Sequence, residues 1–146
     1  MAQINKPNTQ MNTVLYTGNG STQSITGVNF QPDLVWYKSR SNAYNHGLFD
    51  VVRGASNFIQ SNSTDAEQVT SGVTAFDSDG FSVGTNAGGN ASGQTYVGWN
   101  WKAGGTASSN TDGSITSSVS ASTTSGFSVV TWSGNNSAET VGHGLS

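Results

Sequence analysis

The chain has 146 residues, a net charge of −3, a charged fraction of only 9% and no cysteine. That length holds one domain of ordinary size but not two. The five Lys and Arg are scattered, which excludes a phosphate-tracking nucleic-acid surface; no apolar run approaches the ~18 residues of a membrane helix, and the lack of Cys excludes disulfides and thiolate metal sites.

The first stretch, MAQINKPNTQMN, is polar and holds Pro7 among several Asn, so residues 1–12 read as an extended N-terminal arm. Within it Ile4, Asn5, Lys6 and Pro7 are the candidate docking residues toward a neighbouring subunit. It shows no hydrophobic signal segment, which predicts synthesis in a cytoplasm without Sec export. Strands are then predicted at 13–18, 23–28, 33–40, 46–54, 58–61, 72–77, 81–85, 95–103, 113–121 and 127–134. Asn19-Gly20, Asp79-Gly80, Gly88-Gly89 and Asp112-Gly113 supply turn signals between them. The stretch 63–70 is the best helical segment, but it is short and weakly apolar and reads as a polar loop.

Gly, Ser, Thr and Asn make up about half of the chain, a composition that favours turns and short strands over long helices. Four Trp, four Tyr and six Phe still allow a packed core. The expected fold is therefore an all-β antiparallel sandwich or jelly roll with little or no helix. Alternation along Val97-Gly98-Trp99-Asn100-Trp101 predicts that Val97, Trp99 and Trp101 point inward. The expected core is completed by Leu15, Val35, Leu48, Phe58 and Phe81.

The chain repeats itself. Tyr16-Thr17-Gly18-Asn19-Gly20-Ser21 stands against Trp132-Ser133-Gly134-Asn135-Asn136-Ser137, and Gln23-Ser24-Ile25 against Glu139-Thr140-Val141. The expected organisation is a sandwich over 13–103, a Gly/Ser-rich linker over 104–114, and the start of a second, incomplete repeat over 115–146. On that expectation the chain is the N-terminal part of a longer repeat protein.

Chemistry-bearing motifs are sparse. Asp77-Ser78-Asp79-Gly80 begins as a calcium loop does but lacks the distal ligands, so a hairpin turn is the expectation. Gly18-Asn19-Gly20-Ser21 precedes no helix and is no phosphate cradle. His46 and His143 are the only imidazoles; His46 lies near Asp50 in sequence, but nothing forms a triad or metal spacing, and no catalytic, cofactor or metal residue is assigned. Tyr37, Tyr44, Asn45, His46, Asn86 and Asn90 are the candidate ligand surface, because rings cover sugar C–H faces while amides pair with hydroxyls.

The runs YTGNGSTQSITGVNFQPDLVWYKSR, FDVVRG, FDSDGFSVGT, YVGWNWKAGG and TVGHGL resemble a module of tailed bacteriophages, above all those of marine bacteria. The resemblance covers almost everything after residue 11. It implies a tail-fibre or appendage protein, non-enzymatic and without cofactor, with a concanavalin-like sandwich. It implies as partners other virion proteins and further copies of the same chain, with a trimer the expectation for a fibre. Location on the virion is expected with it, and the alternatives to the fibre are a carbohydrate-binding module for a host surface glycan or a capsid decoration protein. One departure stands out: in that family the VGHGL stretch leads into a strand like Pro32-Asp33-Leu34-Val35-Trp36, and here it does not.

Overall fold

The computed structural model describes residues 5–145. After a single 3-10 turn at Pro7–Thr9 the chain forms β1 (Met11–Thr17), β2 (Gln23–Thr26), β3 (Leu34–Ser39), β4 (Gly47–Asp50), β5 (Asn57–Phe58) and β6 (Gln68–Val69). Then come β7 (Val73–Asp77), β8 (Gly80–Val83), a one-turn helix α1 (Ala87–Asn90), β9 (Thr95–Trp101), β10 (Ser108–Asn110), β11 (Ser117–Ser122) and β12 (Phe127–Trp132). Each predicted strand has its counterpart, and β6 and β10 are additional. The fold is all-β, with little helix and antiparallel sheets. The helical candidate at 63–70 forms none; it is loop running into β6.

Two sheets face each other. One has the order β1-β9-β3-β4 and the other β2-β8-β7. Their inner faces supply the core: Val14 from β1, Val35 and Tyr37 from β3 and Phe49 from β4 meet Ile25, Val73, Phe81 and Val83. Each such side chain contributes roughly 1.5–3 kcal/mol by leaving water.

The faces of β1 and β9 are the reverse of the alternation argument. Tyr96, Gly98 and Asn100 point inward, while Val97, Trp99 and Trp101 lie half-buried on the outer face. Leu15 is 64% exposed and Val14 is buried in its place, and Leu48 is likewise only half-buried. Val35, Phe58 and Phe81 are buried as expected. The reason is steric. Phe81 of the facing sheet sits where a side chain at position 98 would stand: a Cβ on Gly98 would lie 3.2 Å from Phe81 Cζ. The outer face is also apolar, with Trp36 paired to Trp99 across β3 and β9 at 5.4 Å between ring centroids. On β9 the larger apolar residues line the outer face while Gly98 and Asn100 face in, so alternation alone does not find the inner side.

The stretch 104–114, expected as a linker, is anchored. Asp33 Oδ2 accepts from the amides of Ala103 at 2.7 Å and Gly105 at 3.2 Å, and the Gly104 amide donates to Ser120 Oγ at 3.0 Å. β10 lies inside this stretch and opens the third sheet, β10-β11-β12. That sheet meets the first through Phe127, stacked on Trp101 at 6.1 Å. The expected arm ends earlier than residue 12, because β1 begins at Met11 and the Lys102 amide already donates to Gln10 O.

Candidate functional site

A cleft of about 350 Å³ opens beside the β3–β4 loop. Its floor is Tyr37. As an inner-face residue of β3, Tyr37 is only 3% exposed, which corrects its assignment to an outer surface. Its ring is wrapped by glycine. A Cβ on Gly47 or Gly89 would fall within 3 Å of the phenol Cζ, and one on Gly72 would lie 2.6 Å from the hydroxyl. These positions lie on β4, on the turn before β7 and in α1, so three separate elements give up side chains to admit one ring.

α1 is held above it by the other inner tyrosines. The Tyr16 hydroxyl donates to Gly89 O and the Tyr96 hydroxyl to Ala87 O, each at 2.8 Å. Tyr37 differs: its hydroxyl meets no hydrogen-bond partner among the described residues, and it is not sealed in, because it lines the open cleft. Burial, with Tyr96 nearby, pushes its pKa well above the usual phenol range, so the group stays protonated.

The rim comes from the β3–β4 loop. Tyr44 and Asn45 are exposed, and an amide ladder braces them: Asn62 Nδ2 donates to Asn45 Oδ1, and Asn45 Nδ2 to Gln60 Oε1, each at 3.0 Å. His46 Nδ1 accepts from Trp36 Nε1 at 2.9 Å. Burial, and secondarily Lys38, lowers the His46 pKa, so the ring is neutral at pH 7 with its proton on Nε2. Asn86 caps α1, accepting from the Gly88 amide at 2.9 Å and donating to Thr70 Oγ1 at 2.7 Å. Phe58, Gln60 and Gln68 close the opposite wall. No Asp, Glu, Lys or Arg lines the cleft.

Five of the six candidate ligand residues, namely Tyr37, Tyr44, Asn45, His46 and Asn86, thus meet at one cleft. Asn90 does not. It is 0% exposed, and its carboxamide is spent inside the protein: Oδ1 accepts from Gln23 Nε2 and the Asn19 amide, and Nδ2 donates to Ser21 O and Gly84 O. Gln60 and Gln68 were missed. Gln60 was legible, since it stands two residues after Phe58 and shares its face; nothing local marked Gln68.

Asp77 accepts from Ser82 Oγ, and Asp79 binds the amides of Gly27 and Asn29, so both carboxylates staple the β7–β8 hairpin and its neighbour. Asp50 is bound by Arg53 at 2.6 Å and His46 by Trp36, so that pair is divided between other partners. At the N-terminus Asn5, Lys6 and Pro7 are exposed, and Ile4 lies outside the described residues.

The sequence repeat has a structural counterpart. Asn19 Oδ1 accepts from the Ser21 amide at 2.8 Å, and Asn135 Oδ1 from the Ser137 amide at 2.9 Å. The residue between them takes a left-handed backbone in both copies, with φ of 72° at Gly20 and 64° at Asn136. In the first copy the turn is plugged by Asn90; in the second, Asn135 Nδ2 is tied to Glu139, which Ser114 also binds.

The chain belongs to the family described as Domain of unknown function (DUF7483), which matches residues 6–146. No curated protein matches it, and no solved structure does.

Proposed function

We propose that this chain is a non-enzymatic structural module of a virion appendage, a segment of a phage tail fibre. The observation that carries the reading is the recurring strand and Asn-centred turn at residues 16–25 and 132–141, with matching hydrogen bonds and backbone sign. Repeated units of this kind build elongated assemblies. The same recurrence favours a fibre over a capsid decoration protein. The resemblance of the YVGWNWKAGG and FDSDGFSVGT runs to phage appendage modules points the same way. The apolar outer face, with Leu15 exposed and Trp36 and Trp99 half-buried, supports a homo-oligomer, a trimer in a fibre. The exposed Asn5, Lys6 and Pro7, with Ile4, would dock to other virion proteins. Mass spectrometry of purified particles tests the reading. The chain should be present at a fixed stoichiometry, and its absence from intact particles would refute it.

A second reading, a carbohydrate-binding module for a host glycan, is favoured by the uncharged aromatic and amide cleft. The two are compatible within one appendage.

A further inference from the structure

We propose that the cleft over Tyr37 binds an uncharged pyranose residue of a polysaccharide, with the Tyr37 hydroxyl hydrogen-bonding a ring hydroxyl at its floor. This rests on the carbohydrate-binding reading and narrows it to a ligand class and a contact.

Three observations carry it. The first is the unpaired hydroxyl. Tyr37 is 3% exposed, yet its Oη bonds no described residue and faces the cleft. The hydroxyl stays open to the cleft rather than sealed in the core, and the tight glycine packing holds its ring in place, so it is presented to whatever enters. Tyr16 and Tyr96, on the same inner face, do find protein partners.

The second is the balance of free groups. Tyr44 offers ring surface, while the Gln60 Nε2 group and the Gln68 carboxamide are left without protein partners among the described residues. Ring surface with neutral donors and acceptors matches a sugar, which has an apolar C–H face and a hydroxyl edge. Gly88 lines the cleft with no side chain to cover its backbone.

The third is charge. Lys38 Nζ, which acts on the His46 ring, donates to the carbonyls of Ser39 at 2.6 Å and Asn42 at 3.2 Å. A uronate or sialate carboxylate would meet no cation in the cleft and would lose hydration without compensation. The volume, about 350 Å³, lies at the lower end of the ~300–1,000 Å³ of small-molecule sites.

The test is an NMR titration of the whole 146-residue protein with neutral gluco-, manno- and galacto-oligosaccharides and, separately, with oligouronates and sialylated oligosaccharides. At least one neutral series should shift the Gly47 and Gly88 amides and the Gln60 and Gln68 side-chain amides. Tyr37→Phe should weaken that binding about three- to ten-fold, the worth of one hydrogen bond, while leaving the melting temperature unchanged because the hydroxyl has no protein partner. Tyr44→Ala should weaken it as well, without unfolding. Binding of acidic oligosaccharides alone would overturn the uncharged class but leave the carbohydrate reading intact. No shift with any saccharide would overturn both. Full affinity in Tyr37→Phe, or a lowered melting temperature in it, would overturn the assignment of its hydroxyl to the ligand.

Discussion

Asn90 and Tyr37 show how differently two polar side chains can be used in one core. Asn90 ties the Asn19–Ser21 turn to Gly84, with donors and acceptors all engaged. Asn90→Ala would strand several buried groups at once, and a loss of about 2–4 kcal/mol in urea denaturation is expected. Asn90→Asp should be nearly as harmful, because it removes the donor to Gly84 O and leaves a buried carboxylate. His46 gives a pH signature. Its folded pKa lies below the unfolded ~6.5. The unfolded chain therefore takes up the proton first as pH falls, so His46 lowers stability through the window beneath ~6.5, and the loss levels off below the folded pKa. Comparing denaturation midpoints at pH 7 and pH 5 should show a drop in the wild type that shrinks in His46→Gln.

At the scale of elements, the strands were legible because Gly-Asn and Asp-Gly turns punctuate them and β-branched and aromatic residues fill them. The facing of β9 was not, because what decides it is Phe81 on a strand that β9 does not pair with. The cleft was legible as a set of residue types, in Tyr44, Asn45, His46 and Asn86. Tyr37 was legible as a member of that set but not as its floor, because it reaches the cleft from inside the sandwich. Asn90 has the same composition cue as Asn86, and only the fold separates a plug from a rim. The β7–β8 hairpin depends on Gly80, whose φ is 152° and whose added Cβ would sit 1.9 Å from Ile25 O. Gly80→Ala should therefore cost more than ~1 kcal/mol and broaden the NMR signals of β2 and β8. A variant as stable as wild type would contradict the close approach of these strands.

In the whole molecule, the third sheet is bound to the sandwich through Asp33, Ser120 and the Trp101–Phe127 stack. Phe127→Ala should cost about 1–3 kcal/mol. Hydrogen exchange should quicken at Val119 and Val130 but not at Val35, separating the two units. That two-unit build, with one turn in two copies, underlies the proposed appendage role, and neither the low charge nor the apolar outer face opposes packing of parallel copies. The most direct measurement is gold-labelled antibody against this chain on intact particles, viewed by electron microscopy. Label confined to the tail appendage is the predicted result. Label spread over the capsid shell, or none on the particle, would contradict it.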